Sequence, residues 1–381
     1  MHRIIMMTSA DYLKYIYFLS KVNRLGNMRI KNILNYYKKP CDFFQSSAND
    51  LRKIEGIDFN ISGEIISSRK NREVYEKEFD SILKNAEKKN IHIISIIDED
   101  YPENLRKIFD APVLLYYKGK LDKTDKYSLS IVGTRTPTEY GKYNCEKFTE
   151  KLSELGIPVI SGFARGIDSI VHSVCIKNNN LTYAVLGSGV DVVYPAENRK
   201  LYNELVEKGA VISEFPIGAK PDKVNFPRRN RIISGISLGS LIIESGIKGG
   251  SLLTAEFAID QDKEVFAIPG YINSKQSEGT NEIIKRGQAK LVTNIDDIIS
   301  ELEIKLKPVL KKDLIEKEEK AVKDLNDSEK KIYDMLEYEP IHIDKINETT
   351  GLSVSDCLVN LLSLEFKSLV RQTPGKNFIK I

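Results

Sequence analysis

The strongest constraint on this chain is a rhythm between residues 90 and 305, where short Val/Ile/Leu runs alternate with helical stretches. Ser128-Leu129-Ser130-Ile131-Val132-Gly133 reads as a buried strand ending in glycine, and Pro137 marks the start of a helix running to Gly156. The unit repeats at Pro158-Val159-Ile160-Ser161-Gly162, with a helix from Ile167 to Asn178, and again at Thr182 to Gly187. Ala210 to Ser213, Leu241 to Glu244 and Val265 to Ile268 continue it. Near-continuous apolar strands of this kind, alternating with helices, must be covered on both faces, which requires a doubly wound, mostly parallel α/β sheet.

The flanks obey other rules. Residues 1–80 read as a domain of short helices, in which Leu25-Gly26-Asn27-Met28 and Ile54-Glu55-Gly56-Ile57 form glycine turns. Such a turn offers backbone N–H groups to a phosphate or simply joins packed helices. Lys and Glu dominate 306–325, as expected of a solvated linker. Residues 326–381 then read as three helices, the first capped by Ser328 and the third by Ser353, with a bend at Gly351 and a closing hairpin. That is a winged-helix pattern. Its third helix is expected to expose Ser355, Asp356, Asn360 and Ser363, a face with no attraction for phosphate.

Composition closes off several classes. No apolar run approaches the roughly 18 residues of a membrane span, and the first residues do not read as a secretory signal. The four cysteines are widely separated, with no C-x-x-C pair and only four histidines to assist them, so neither a metal site nor a disulfide framework is expected. Reduced thiols fit a cytoplasmic protein. Net charge is only +3, so an anion-binding surface must come from local clustering.

In an open parallel sheet, ligands bind beyond the carboxyl ends of the strands. Here those ends carry Gly133-Thr134-Arg135, Ser161-Gly162 with Arg165-Gly166, Gly187 and Gly189, and Gly250-Ser251 with Thr254. The helices that follow aim unpaired N–H groups at the same rim. Arg228, Arg229, Asn230 and Arg231 add cations at another helix start. Guanidinium groups fork onto phosphates and stack on bases. At least one of Arg228, Arg229 and Arg231 is expected to be buried against Asp168, Glu214 or Glu244. The dinucleotide fingerprint fails because Val192 stands at its third glycine, and no G-x-x-x-x-G-K-[ST] occurs. No cofactor is expected. His172 reads as a packed side chain, and no base is positioned to activate Ser161, Ser251 or Thr254.

In this order the motifs resemble the DprA/Smf family of DNA-processing proteins. The resemblance rests on Ile131-Val132-Gly133-Thr134-Arg135, on Ser161 to Asp168 with His172, and on Gly187 to Pro195. It continues through Ser213-Glu214, Phe226 to Gly235, Gly249 to Ala255, Phe266 to Gly270 and Ser277 to Asn281. It implies an extended Rossmann-like domain over 90–305, a SAM-like or helix-hairpin-helix-like domain before it and a winged helix after it. It further implies single-stranded DNA binding without catalysis, loading of RecA recombinase, natural transformation and a homodimer. Arg135 and Arg165 take the positions of the family's DNA-pocket residues; the second is often lysine in relatives. The tail is read as a protein-contact or regulatory module.

An alternative on the same scaffold is a lysine-decarboxylase-like nucleotide phosphoribohydrolase. Its G-G-x-G-T-x-x-E loop is met only partly, since Gly249-Gly250-Ser251-Leu252-Leu253-Thr254-Ala255-Glu256 has no glycine directly before the threonine.

Overall fold

The computed structural model describes residues 9–308, 325–336, 340–367, 369–373 and 375–380. Contacts divide them into two compact units meeting at Leu306 and Lys307.

The first unit opens with α1 (Ser9–Lys21), α2 (Asn27–Tyr36), α3 (Pro40–Gln45), α4 (Ala48–Leu51), α5 (Phe59–Ser68) and α6 (Arg72–Lys88). Ile16, Phe18, Ile33, Phe43 and Ile65 are buried between them, and the same core runs on into Ile94, Leu115 and Ile212 of the sheet. The helical segment read as a domain of its own therefore shares its core with the sheet. Both glycine turns are engaged in this packing. Arg29 Nε donates to the Gly56 carbonyl at 2.9 Å, Asn27 donates to Asp110 at 3.0 Å, and Asp58 caps α5 at the Ile61 amide.

The sheet elements are β1 (His92–Ser95), α7 (Glu103–Lys107), β2 (Leu114–Gly119), β3 (Leu129–Gly133), α8 (Glu139–Glu154), β4 (Val159–Ser161), α9 (Ile167–Lys177) and β5 (Thr182–Val185). After them come α10 (Arg199–Lys208), β6 (Ala210–Ser213), α11 (Asn225–Ile236), β7 (Gly239–Ile243), α12 (Gly250–Asp260), β8 (Glu264–Ala267), α13 (Glu278–Lys285) and β9 (Lys290–Leu291). A helix, α14, covers 296–308. The strand order is β1-β2-β6-β5-β4-β3-β7-β8-β9. From β6 to β9 all neighbours are parallel, whereas β1 and β2 run antiparallel at one edge. Strands β5, β6 and β7 are buried at every residue, which is why no polar alternation marks them. The chain winds one way from β3 to β6 and the other way from β7, so the crevice of the fold opens between β3 and β7. Helix α8 starts two residues after Pro137, capped by the Thr138 hydroxyl at the Gly141 amide.

The second unit holds α15 (Asp327–Met335), β10 (Ile341–His342), α16 (Ile343–Thr350), α17 (Val354–Phe366), β11 (Val370–Thr373) and β12 (Asn377–Lys380), with strand order β10-β12-β11. Three helices and this small sheet enclose Ile332, Ile346, Leu361, Leu364 and Phe378, a winged helix. Gly351 makes the bend with φ +69°. Much of the expected charged linker, 309–324, lies outside the described residues. Two expectations are corrected. Asn326, not Ser328, caps α15, because Glu329 returns a hydrogen bond to the Asn326 amide and closes a capping box. Ser363 faces inward, donating to Glu329 at 2.6 Å.

Glu329 is nearly fully buried and also accepts from Lys367 at 2.8 Å. Desolvation works against its charge, but Lys367, Ser363 and the Asn326 amide prevail and hold the carboxyl below its ordinary value. A depressed folded value means stability that is complete above the ordinary carboxylate range and lost as pH falls through the folded one. Glu329→Gln in the full chain should therefore lower the stability of the second unit at neutral pH by about 2 kcal/mol. It should also flatten the acid limb of its unfolding, read by circular dichroism between about pH 5 and pH 3.

Candidate nucleic-acid interface

The crevice is a cleft of about 620 Å³ bounded by the loops after β3, β4 and β7 and by the starts of α11 and α12. A smaller hollow of about 30 Å³ adjoins it and shares Arg135, Ala164, Tyr194, Phe226 and Arg229.

Glycine makes the close approach of these loops possible. Gly133 pairs with Ile243 across the parallel register, and a Cβ there would run into the Ile243 carbonyl. Gly166 has φ +76°, and its Cβ would stand 2.7 Å from the Arg135 carbonyl. Between them the Thr134 amide donates to Glu244 and the Ile167 amide to Thr134, so three rim loops are tied backbone to backbone. Phe163 takes φ +96°, costly for a residue with a Cβ, and is held by buried contacts with the His172 and Tyr202 rings.

Most polar side chains behind the cleft have internal partners. The Ser161 hydroxyl donates to the Ile131 carbonyl at 2.6 Å, off the cleft wall. His172 is fully buried; Thr182 donates to Val159, so the Thr182 hydroxyl accepts from His172 Nδ1, 2.8 Å away. Burial, reinforced by Arg229, pushes this imidazole down to about 3, and it stays neutral. Asp168 accepts from the Ala164 amide at 3.1 Å. Burial raises its carboxyl while the Arg229 guanidinium opposes the rise. Ser251 donates to Ser245 at 2.8 Å. Gly189 lies against Pro216 and Gly218, away from the cleft.

The arginines divide. Arg135 is exposed on the cleft wall, its guanidinium 5.9 Å from the centre of the Phe226 ring. Arg165 is exposed at the smaller hollow and paired with Glu197. Arg229 is buried beneath both hollows, donating to the Val185 carbonyl, and burial lowers it to about 10. Asn230 reaches across the cleft to the Gly250 carbonyl at 3.1 Å. Arg228 and Arg231 turn the other way. Arg231 is buried against Glu214 and Asp110, and Arg228 stands 3.8 Å from Glu214 beside the Phe215 ring. Neither lines the cleft.

Thr134, Gly250, Ser251 and Thr254 do line it, and Gly187 lies under Phe226 in the smaller hollow. The reading of strand ends did not single out Tyr194, Lys223 or Phe226, all on the wall. Tyr194 and Phe226 face each other at 5.8 Å. Aromatic residues beside a predicted rim were the available signal. The site thus combines the starts of α9, α11 and α12, which carry no side-chain cap, with cations and two rings, the means to hold phosphates and stack bases.

Comparison with known proteins matches the family of DNA recombination-mediator protein A over residues 65–303 and a DprA winged helix domain over 316–376. Protein Smf of Synechocystis is 31% identical across 94% of this chain and 96% of its own. The DNA processing protein DprA of Streptococcus pneumoniae is 41% identical across 55% of this chain and 73% of its own. The solved structure of that protein covers 77% of this chain and 98% of its own, at 34% identity and a TM-score of 0.63. A structure of DNA processing protein A from Helicobacter pylori, described for its single-stranded DNA binding mode, covers 56% of this chain and 96% of its own, at 29% identity and a TM-score of 0.51. With one family match spanning the sheet unit and another the winged helix, the chain belongs to the DprA/Smf family, the DNA recombination-mediator protein A family.

Proposed function

We propose that this chain binds single-stranded DNA in the β3/β7 cleft without chemical turnover and loads the RecA recombinase onto it in natural transformation and recombination. The observation that carries the reading is the make-up of the cleft wall: Arg135 and Lys223 beside Tyr194 and Phe226, over glycine-backed N–H groups, with the buried Arg229 beneath. Cations there neutralise phosphates, and rings stack on bases that only a single strand exposes. The solved relative from Helicobacter pylori, described for that ligand, supports the choice. The one carboxylate among the described lining residues, Asp168, is engaged by the Ala164 amide, so the cleft offers no general acid–base pair. This disfavours the phosphoribohydrolase reading.

A homodimer and a cytoplasmic setting belong to the same reading. The half-exposed Leu291 on the open edge strand β9 supports the first. Among the described residues, no helix is long and apolar enough to cross a membrane. The winged helix serves a protein partner. The outer face of α17 presents Leu358, Val359, Leu362 and Phe366, and its basic residue nearest that face, Lys367, is held by Glu329. Such a face favours apolar contact over a phosphate backbone.

Arg135→Ala combined with Arg165→Glu should weaken oligo-dT binding more than about tenfold and flatten its salt dependence, measured by fluorescence anisotropy. Unchanged affinity would overturn the cleft assignment. Glu197 competes with a phosphate for Arg165. Glu197→Gln should therefore tighten binding about two- to fivefold at low salt, a gain that fades once salt screens the surface.

A further inference from the structure

On the β7–β8 side of the same rim stands a group of aromatic side chains that the core does not use. Tyr140, in the first turn of α8, is 39% exposed, Tyr143 64% and Tyr271 77%, with Ile272 beside them at 87%. The Tyr140 and Tyr271 rings lie 6.2 Å apart, and the Tyr140 hydroxyl donates to the Pro269 carbonyl at 2.7 Å. Tyr140 is thus fixed by its polar tip while its ring faces water, unlike a residue held by packing.

This group is joined to the cleft. Glu244, buried at the end of β7, accepts from the Thr138 amide at 2.8 Å and from the Thr138 hydroxyl, which anchors the start of α8. Gly141 lies so close to that carboxylate that a Cβ would overlap it. The next residues, Ser245 and Gly246, line the cleft. The Gly279 amide donates to the Ser245 carbonyl at 2.7 Å, and the Lys275 carbonyl lies beside Gly246. The loops after β7 and β8 therefore form one surface with the cleft floor. Lys248 and Lys275 are exposed on it. Of the acids nearby, Glu139 is paired with Lys142, and Glu278 opens α13.

We propose that Tyr271 and Tyr140 form a stacking platform for bases of single-stranded DNA leaving the cleft, with Lys248 and Lys275 beside the phosphates. The proposal rests on the reading of the cleft as a single-strand site. Continuity with the cleft and the two lysines favour a polyanion with exposed π-faces over a second protein surface.

The test compares two oligo-dT lengths, about six nucleotides, within the site sizes of such grooves, to occupy the cleft alone and about twenty to reach beyond it. Tyr271→Ala should weaken binding of the long oligonucleotide about five- to tenfold, the loss of one base–aromatic stack, and leave the short one unchanged. Tyr271→Phe should restore it. A long oligonucleotide bearing 5-iodouracil should crosslink to the peptide containing Tyr271 or Tyr140. Unchanged affinity for the long oligonucleotide in Tyr271→Ala, while the Arg135/Arg165 variant still loses binding, would overturn the platform and leave the cleft standing. Insensitivity of both variants would remove the cleft reading and the platform with it. A change in sedimentation of the DNA-free protein, without a length-dependent loss, would assign this face to a second copy of the chain and also overturn the proposal.

Discussion

A buried guanidinium holds the site together. Arg229 lies under the cleft floor, donates to the Val185 carbonyl at the end of β5 and to Asn230 at 3.1 Å, and stands beside Asp168 in the first turn of α9. A charge so placed is tolerated only with its partners in position. Gly162 has no side chain because the space a Cβ would need is filled by Asp168 and the Arg229 guanidinium. The loop carrying Arg165, the end of β5 and the start of α11 are thus fixed to one another by a single side chain. Exposed groups mounted on those elements inherit its rigidity.

Helical geometry explains why the run 228–231 separates as it does. Residues three apart share a helix face, so Arg228 and Arg231 turn together, and both meet Glu214. Arg229 and Asn230 occupy the other side and reach the cleft. The expectation that some of these arginines would be buried against an acid was legible from composition alone; which ones required the phase of α11. That phase was available in principle, because Phe226 and Arg229 stand three apart on the face that closes the cleft.

The fold class followed from the largely apolar strands because burial on both faces leaves no polar–apolar alternation to confuse the pattern. The short antiparallel edge was less visible, since β1 and β2 together span few residues and β2 is half-buried from Tyr117 to Gly119. The glycine turns of the helical segment looked equally able to bind phosphate or to pack. Arg29, bonded to the Gly56 and Arg24 carbonyls, decides for packing, and no local pattern announces a bond between residues so far apart. At Asn326-Asp327-Ser328-Glu329, by contrast, the capping box was written in the spacing, because only Asn326 stands three residues before the glutamate.

A division of labour among polar groups gives the cleft its character. Asp168 and Ser251 bond other parts of the same rim, Ser161 bonds the neighbouring strand β3, and His172, held neutral by burial, bonds Thr182 at the start of β5. Groups that might move protons are therefore occupied with fixing loops and strands. Outward remain Arg135, Arg165, Lys223, Tyr194 and Phe226, which supply fixed charge and flat apolar surface. A net charge of +3 conceals this arrangement because Glu and Asp elsewhere offset the rim cations. A local field depends on which charges face the ligand, and at this rim the nearest carboxylates are either buried or, as with Glu197, exposed enough to give way to a phosphate. Fixed loops with exposed counter-charges favour binding of a flexible polyanion whose register along the groove need not be fixed.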